Sequence, residues 1–316
     1  MRSGRRPAAL SIAIRASLVL ASAAILASCG QTDTKLRAQT QPSPKAHLNK
    51  AAPAHVAVIV MENEEYGEII GSHSTPFLNS LANRFALATE MFAITHPSLP
   101  NYLALTGGST YGITSDCTDC SVPGSGLAGQ LSRKRVSWKA YMENLPHPCF
   151  TGAGAGEYAK KHDPFVYYTG IVRNRALCNR VVPLSELVKD EGANRLPRFI
   201  WITPNLCHDM HDCSVATGDR FLARLVPPLL GALGRSGLLV LTWDEGSSNA
   251  GCCRFASGGH IATILAGPGA RPGARISTPV DTYSVLQTIE DLLGVRRLGD
   301  AGCVCTPTFQ PLLASH

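Results

Sequence analysis

Three features predict an α/β fold with a mostly parallel sheet. Several apolar, β-branched runs are continuous rather than alternating, the pattern of strands buried on both faces. Segments with helical spacing of apolar residues lie between them. Three of the runs stop abruptly at polar clusters: Glu62-Asn63, the stretch from Asn205 to Asp212, and Asp244-Glu245.

The first run, residues 55–61, reads as a buried strand. Thr75-Pro76 then offers an N-cap and a proline at the first helical position, followed by Phe77, Leu78, Leu81, Ala82 and Phe85 at helical spacing. A second helix is predicted over 98–105 and a strand over 136–142. Residues 198–203, 237–243 and 260–266 form three further buried strands, the last followed by the turn Gly267-Pro268-Gly269. Asp281 caps a helix carrying Val285, Leu286, Ile289 and Leu293 on one face, and Gly294 closes it. No internal repeat interrupts the pattern, and residues 55–316 read as one domain.

The 316 residues carry 29 Lys+Arg and 23 Asp+Glu, a net charge of +6. Arg2, Arg5, Arg6 and Arg15 precede Cys29 and no acidic residue does, so without these four arginines the charge falls to +2. The basic balance therefore belongs largely to the leader, and no nucleic-acid-binding surface is expected. With 45% apolar and 16% charged residues the chain is globular, neither disordered nor a polytopic membrane protein.

Residues 1–28 have a basic start and a short apolar stretch, the form of a secretory signal. Leu26-Ala27-Ser28-Cys29 resembles the bacterial lipobox, which implies cleavage before Cys29 and its lipidation. Residues 29–54, rich in Gln, Thr, Pro, Ala and Lys, read as a flexible tether. The expected product is an exported lipoprotein held on a membrane surface through Cys29, in the periplasm, on the outer membrane or at the cell surface. Ten cysteines follow Cys29, an even number that fits disulfides in an exported chain. Cys149–Cys178 and Cys207–Cys213 are the favoured bridges, with the connectivity open. Cys117-Thr-Asp-Cys120 has no second CxxC to complete a zinc site.

In open α/β sheets ligands bind just beyond the carboxyl ends of the strands. The polar clusters there, with His260 before another strand, supply oxygens and imidazoles suited to a divalent cation. Ser98, at a turn into a helix, can place its hydroxyl at a helix N-terminus, where anions are favoured. A serine hydroxyl is a weak nucleophile until a base or metal activates it. Read residue by residue, these same groups also suit solvated loops and ordinary helix caps.

Met61-Glu62-Asn63, His96-Pro97-Ser98-Leu99-Pro100-Asn101-Tyr102, Pro204-Asn205 with Asp209-Met210-His211-Asp212, and Trp243-Asp244-Glu245 together resemble the bacterial phosphoesterase family. That family holds secreted acid phosphatases and phosphatidylcholine-type phospholipases C within the alkaline-phosphatase-like superfamily. The likeness runs from about His55 to Val295, and Tyr158 to Phe165 fits the actinobacterial acid-phosphatase subgroup. It implies a three-layer α/β/α sandwich and a metal-dependent phosphoric monoester hydrolase acting through a phosphoseryl intermediate. Ser98 is the implied nucleophile and a metal ligand beside Glu62, Asn63, Asp244, Glu245, Asp209 and His260. His211 is the implied general acid, and His96, Asn101 and Asp212 would contact the phosphate. The implied cofactor is a divalent ion, Mg, Ca, Mn or Zn, and the partner a phosphate ester. A phospholipase C of the same family is the nearest alternative, and a catalytically silent ligand-binding surface lipoprotein a more distant one. No Cys-x-Pro-x-Arg or Ser-x-Pro-x-Arg sulfatase motif stands at Ser98.

Overall fold

The computed structural model describes residues 53–315. The expected signal segment 1–28, Cys29 and all but the last two residues of the tether lie outside the described residues.

In chain order the strands are β1 (Val56–Met61), β2 (Ala86–Phe92), β3 (Trp138–Met142), β4 (Gly154–Ala155), β5 (Tyr158–Ala159), β6 (Val181–Pro183), β7 (Phe199–Thr203), β8 (Leu238–Trp243), β9 (His260–Ala266), β10 (Arg275–Ile276) and β11 (Val280–Asp281). The helices are α1 (Tyr66–Ile69), α2 (Pro76–Arg84), α3 (Ser98–Gly107), α4 (Gly126–Arg133), α5 (Thr169–Val172), α6 (Arg175–Cys178), α7 (Ser185–Gly192), α8 (Val215–Ala232) and α9 (Thr282–Leu293). One sheet runs β10-β2-β9-β8-β1-β7-β3-β6, with β11 also on β2, while β4 and β5 form a separate hairpin. All its strand pairs are parallel except the two made by β9.

Every residue of β1, β7 and β8 is buried, so both sheet faces are covered. That is why these segments lack polar alternation. Each fully buried Ile, Leu or Val there contributes about 1.5–3 kcal/mol relative to exposure. Helices on the two faces make the molecule an α/β/α sandwich, with α2 packed on α8 and α3 on α9. The predicted strands and helices fall where the spacing placed them, shifted by one or two residues. Asp281 accepts from the backbone N–H of Tyr283 and Ser284, and Gly294 closes α9 at φ 67°.

The elements without a predicted counterpart include β2 and the long α8. β2 is short on β-branched residues and carries Thr89-Glu90 at a register irregularity against β9. α8 runs 18 residues with Pro227 and Pro228 inside it, against the usual helix-breaking effect of proline.

Among the described residues five disulfides join Cys117–Cys120, Cys149–Cys178, Cys207–Cys213, Cys252–Cys253 and Cys303–Cys305. Both favoured bridges are among them. The set fits an exported chain folded in an oxidising compartment. No helix among the described residues is long and apolar enough to cross a membrane.

Thr75 holds the N-cap position of α2, but its hydroxyl accepts no N–H of the first turn and donates to the carbonyl of Ile69 at 2.6 Å. The free N–H groups of Phe77 and Leu78 are taken instead by the buried carboxylate of Asp219, on α8, at 3.2 and 2.9 Å. This pair of bonds joins two helices across 141 residues of sequence. Asp219→Ala leaves both amides unpaired in the interior and is expected to destabilise the fold by about 1–3 kcal/mol. Thermal or denaturant unfolding measures this, and an unchanged midpoint would show that Asp219 does not cap α2.

Candidate active site

The carboxyl ends of the parallel strands deliver the acidic residues to one place. β1 ends at Met61, and Glu62 follows with its backbone N–H on the carbonyl of Asp209 at 2.9 Å. β8 ends at Trp243, and the N–H of Asp244 bonds the carbonyl of Met61 at 2.9 Å. Adjacent parallel strands thus set Glu62 beside Asp244-Glu245 on one side and beside the loop after β7 on the other. In that loop Met210 sits at φ 86°, a left-handed conformation that side chains rarely adopt. Asp209 and Met210 are both buried while His211 emerges on the rim.

Ser98 is the first residue of α3 and is 1% exposed. Its Oγ lies 3.2 Å from Glu62 Oε2, 3.3 Å from Glu245 Oε1 and 3.5 Å from Lys161 Nζ. Lys161 also donates to Asp116 Oδ2 at 3.1 Å and to His211 Nε2 at 3.0 Å. An ammonium offers only protons, so His211 presents a lone pair at Nε2 and donates its Nδ1–H to Asp212 at 2.6 Å. Asp116 turns its other oxygen to the N–H of Leu99, at 2.9 Å, in the first turn of α3.

His162, almost fully buried, sets Nε2 3.0 Å from Glu62 Oε1 and Nδ1 3.2 Å from Asp209 Oδ2. Neither contact is aligned as a hydrogen bond, and Glu62 Oε1, Asp209 Oδ2, Asp244 Oδ2 and His162 Nε2 all lack a hydrogen-bond partner. Burial, then the neighbouring Lys161 and His211, hold the His162 imidazole neutral. Its ring stacks on Tyr102 at 5.3 Å.

Glu62, Asp244 and Asp209 are inaccessible to solvent, and Glu245 is 5% exposed. Burial, with the repulsion of Asp244 and Asp209 next, raises the Glu62 carboxyl well above its usual range. Burial and then Glu245 do the same to Asp244. Burial pushes Asp209 up to about 7. It also raises Glu245, against the opposing pull of His96 and Ser98. Removing several carboxylates from water is costly unless a cation compensates them. Two groupings have ligand atoms close enough to share an ion: Glu62, Asp244 and Glu245; and Glu62, His162 and His211. The unpartnered oxygens and the neutral imidazole fit a divalent cation in chemistry and position.

The structure brings together Ser98, Glu62, Asp209, Asp244, Glu245 and, at the rim, His211 with Asp212. It gives other expected residues different employment. Asn101 is buried and spends its side chain on the loop before α3: Oδ1 accepts from Ile94 and Thr95, and Nδ2 donates to the carbonyls of Thr95 and Pro97. No polar atom of it is left for phosphate. His260 lies at the same sheet edge because β9 runs antiparallel, but its Nε2 meets the carbonyl of Thr89 at 2.8 Å and its ring is stacked by Tyr66 and Phe92. It belongs to neither ligand grouping. His96 engages Glu245 through Nδ1 and the Ser248 carbonyl through Nε2, so it braces Glu245. Asn63 is tied in through its backbone N–H, 3.3 Å from Asp244 Oδ1.

Lys161, His162 and Asp116 were not among the expected site residues. Their segments are irregular, with no periodic pattern to flag them. The only signal was the likeness of Tyr158 to Phe165 to the acid-phosphatase subgroup.

A buried serine thus stands at a helix N-terminus, ringed by carboxylates beyond the carboxyl edge of an α/β sheet. The sandwich resembles an alkaline phosphatase superfamily protein from Vibrio parahaemolyticus (TM-score 0.54, 12% identity, 80% of this chain and 71% of that one). It also resembles the lipoteichoic acid synthase LtaP of Listeria monocytogenes (TM-score 0.54, 13% identity, 78% and 74%). These likenesses concern the fold. Residues 72–296 match the Phosphoesterase family. The chain is 36% identical over 252 residues to the phosphatidylinositol-3-phosphatase of Mycobacterium tuberculosis, covering 78% of this chain and 79% of that protein. It is 29% identical over 282 residues to an acid phosphatase of Aspergillus fumigatus, covering 84% of this chain and 61% of the fungal one. The chain belongs to the phosphoesterase family and is a hydrolase of phosphate esters.

The raised carboxyls set a sign for pH-dependent stability. A carboxyl whose folded pKa exceeds its unfolded value binds its proton more tightly when folded, so its ionisation opposes folding. The EDTA-treated protein is therefore expected to lose stability as the pH rises from about 4, through the value of about 7 reached by Asp209. Saturating divalent cation should flatten this slope and raise the neutral-pH melting temperature. Equal melting profiles with and without cation would show that the carboxylates are not compensated in this way.

Proposed function

We propose that this chain is an exported, divalent-metal-dependent phosphatase that cleaves phosphoric monoesters through a phosphoseryl intermediate at Ser98. The observation that carries the reading is the position of Ser98 Oγ. It lies at the N-terminus of α3, within 3.3 Å of two buried carboxylates and 3.5 Å of an ammonium. The names of the two sequence relatives, a phosphatidylinositol-3-phosphatase and an acid phosphatase, support the monoester class.

Glu62, Asp244 and Glu245, with Ser98, are the residues that would hold a divalent cation, which lowers the pKa of the hydroxyl and offsets charge on the phosphoryl oxygens. The oxygen-rich set suits Mg, Ca or Mn, and His162 and His211 extend it towards Zn. Ser98 Oγ attacks phosphorus in line, its proton passing to a neighbouring carboxylate. The bond from phosphorus to the ester oxygen breaks and the alcohol leaves. His211 must first hold a proton at Nε2 to donate it to the leaving oxygen. At the rim that proton comes from solvent, and Asp212 stabilises the imidazolium. Water then attacks the phosphoserine and inorganic phosphate departs. Lipidation at Cys29 would hold this domain at a membrane surface.

Ser98→Ala should lower turnover of p-nitrophenyl phosphate by at least about 1000-fold while leaving the melting temperature near that of the parent. EDTA should abolish the parent activity, and added divalent cation should restore it. Near-normal turnover by Ser98→Ala would remove the serine from the mechanism. Preference for p-nitrophenyl phosphorylcholine would move the substrate class to phosphodiesters.

A further inference from the structure

Lys161 stands apart from the rest of the site. The pocket is built almost wholly from carboxyl groups and imidazoles, yet it must accept a phosphoryl group that is itself anionic. Among the described residues Lys161 is the only lysine or arginine in contact with Ser98, His211 or Asp116. It is also the lysine that draws the Glu62 and Asp209 carboxyls downward against their burial.

Its ammonium is held rather than free. Asp116 Oδ2 pairs with it at 3.1 Å, and Asp116 Oδ1 is fixed by the first turn of α3. The loop of Asp116 is closed by Cys117–Cys120 and tied to the segment of Lys161 twice more. Lys160 Nζ donates to the carbonyl of Thr118 at 2.6 Å, and the Tyr167 hydroxyl donates to that of Cys117 at 3.0 Å. The side chain of Lys161 is about four-fifths buried. Ser98, Asp116 and Lys161 thus form a rigid unit around α3, with the cation beside the nucleophile.

We infer that Lys161, positioned by Asp116, is the residue that makes this site select the doubly charged monoester over the singly charged diester. The inference rests on the phosphatase reading above. At neutral pH a phosphomonoester carries close to two negative charges, a diester one. A fixed ammonium near the attacked phosphorus recovers more energy from the dianion, and a buried charge-assisted contact is stronger than an exposed one. A diester also has one fewer terminal oxygen to offer the ammonium. Lys161 therefore acts on specificity as well as rate, and Asp116 acts through it.

The test compares the parent protein with Lys161→Met, Lys161→Arg and Asp116→Asn at pH 7 in saturating divalent cation. Each is assayed on p-nitrophenyl phosphate and bis(p-nitrophenyl) phosphate. Binding of inorganic phosphate is measured by calorimetry, and folding is checked by thermal unfolding. Lys161→Met should lower kcat/KM for the monoester by about 100-fold or more. The diester should fall by about tenfold or less, a change in selectivity of at least about tenfold. Phosphate binding should weaken in parallel, Lys161→Arg should recover part of the preference, and Asp116→Asn should shift selectivity the same way to a smaller extent. Equal losses on both substrates, or unchanged phosphate affinity in folded Lys161→Met, would overturn the inference. If the parent cleaves neither ester, the phosphatase reading fails instead, and the calorimetric comparison still decides whether Lys161 binds the phosphoryl group.

Discussion

The structure depends on one electrostatic constraint, the confinement of Glu62, Asp209, Asp244 and Glu245 in a space almost closed to water. Three separate chain segments must bring these four carboxylates together. Hydrogen-bonded register does it here: β1 lies between β7 and β8, so the residues following three adjacent strands must converge. The apolar burial of those strands stabilises an arrangement that the carboxylates oppose. On the proposed reading, a divalent cation would relieve that repulsion on binding.

Around that centre, polar groups fix the carboxylates rather than neutralise them. His96 braces Glu245 from the loop before α3. The N–H of Glu245 bonds Asp244 Oδ1 at 2.6 Å, and that of His211 bonds Asp209 Oδ1 at 2.8 Å. Glu65 accepts from the N–H of Ser248 and of His260, clipping the loop after β8 to the start of β9. Gly246 and Gly259 pass so closely there that a Cβ on Gly259 would lie 2.6 Å from Gly246 Cα. Disulfides pin loops on both sides of the site: Cys117–Cys120 beside Asp116 and Cys207–Cys213 around Asp209 and His211.

Much of this was legible from the sequence because its signals are strong locally. β1, β7 and β8 are continuous apolar runs, and each ends in a run of polar side chains, so Glu62, Asp209 and Asp244 could be placed at one sheet edge. β2 was illegible because its alanines, Thr89 and Glu90 follow neither strand pattern, and its pairing with β9 is a long-range choice. α8 was hidden by Pro227-Pro228, which tertiary packing tolerates. The errors at the site have one cause: sequence gives a residue's address but not its orientation. Asn101 and His260 reach the correct region and then turn to backbone carbonyls and amides. Lys161, His162 and Asp116 arrive from irregular segments, which carry no period from which a position can be read.

The central claim is that Ser98 carries the phosphoryl group between substrate and water. The most direct measurement is mass spectrometry of the protein acid-quenched during turnover of a phosphomonoester with divalent cation present. The account predicts a phosphoryl group on the peptide containing Ser98, absent when substrate is omitted and absent in Ser98→Ala. Active enzyme with no phosphorylated peptide, together with inversion at phosphorus in a chiral substrate, would contradict it and assign the attack to water directly.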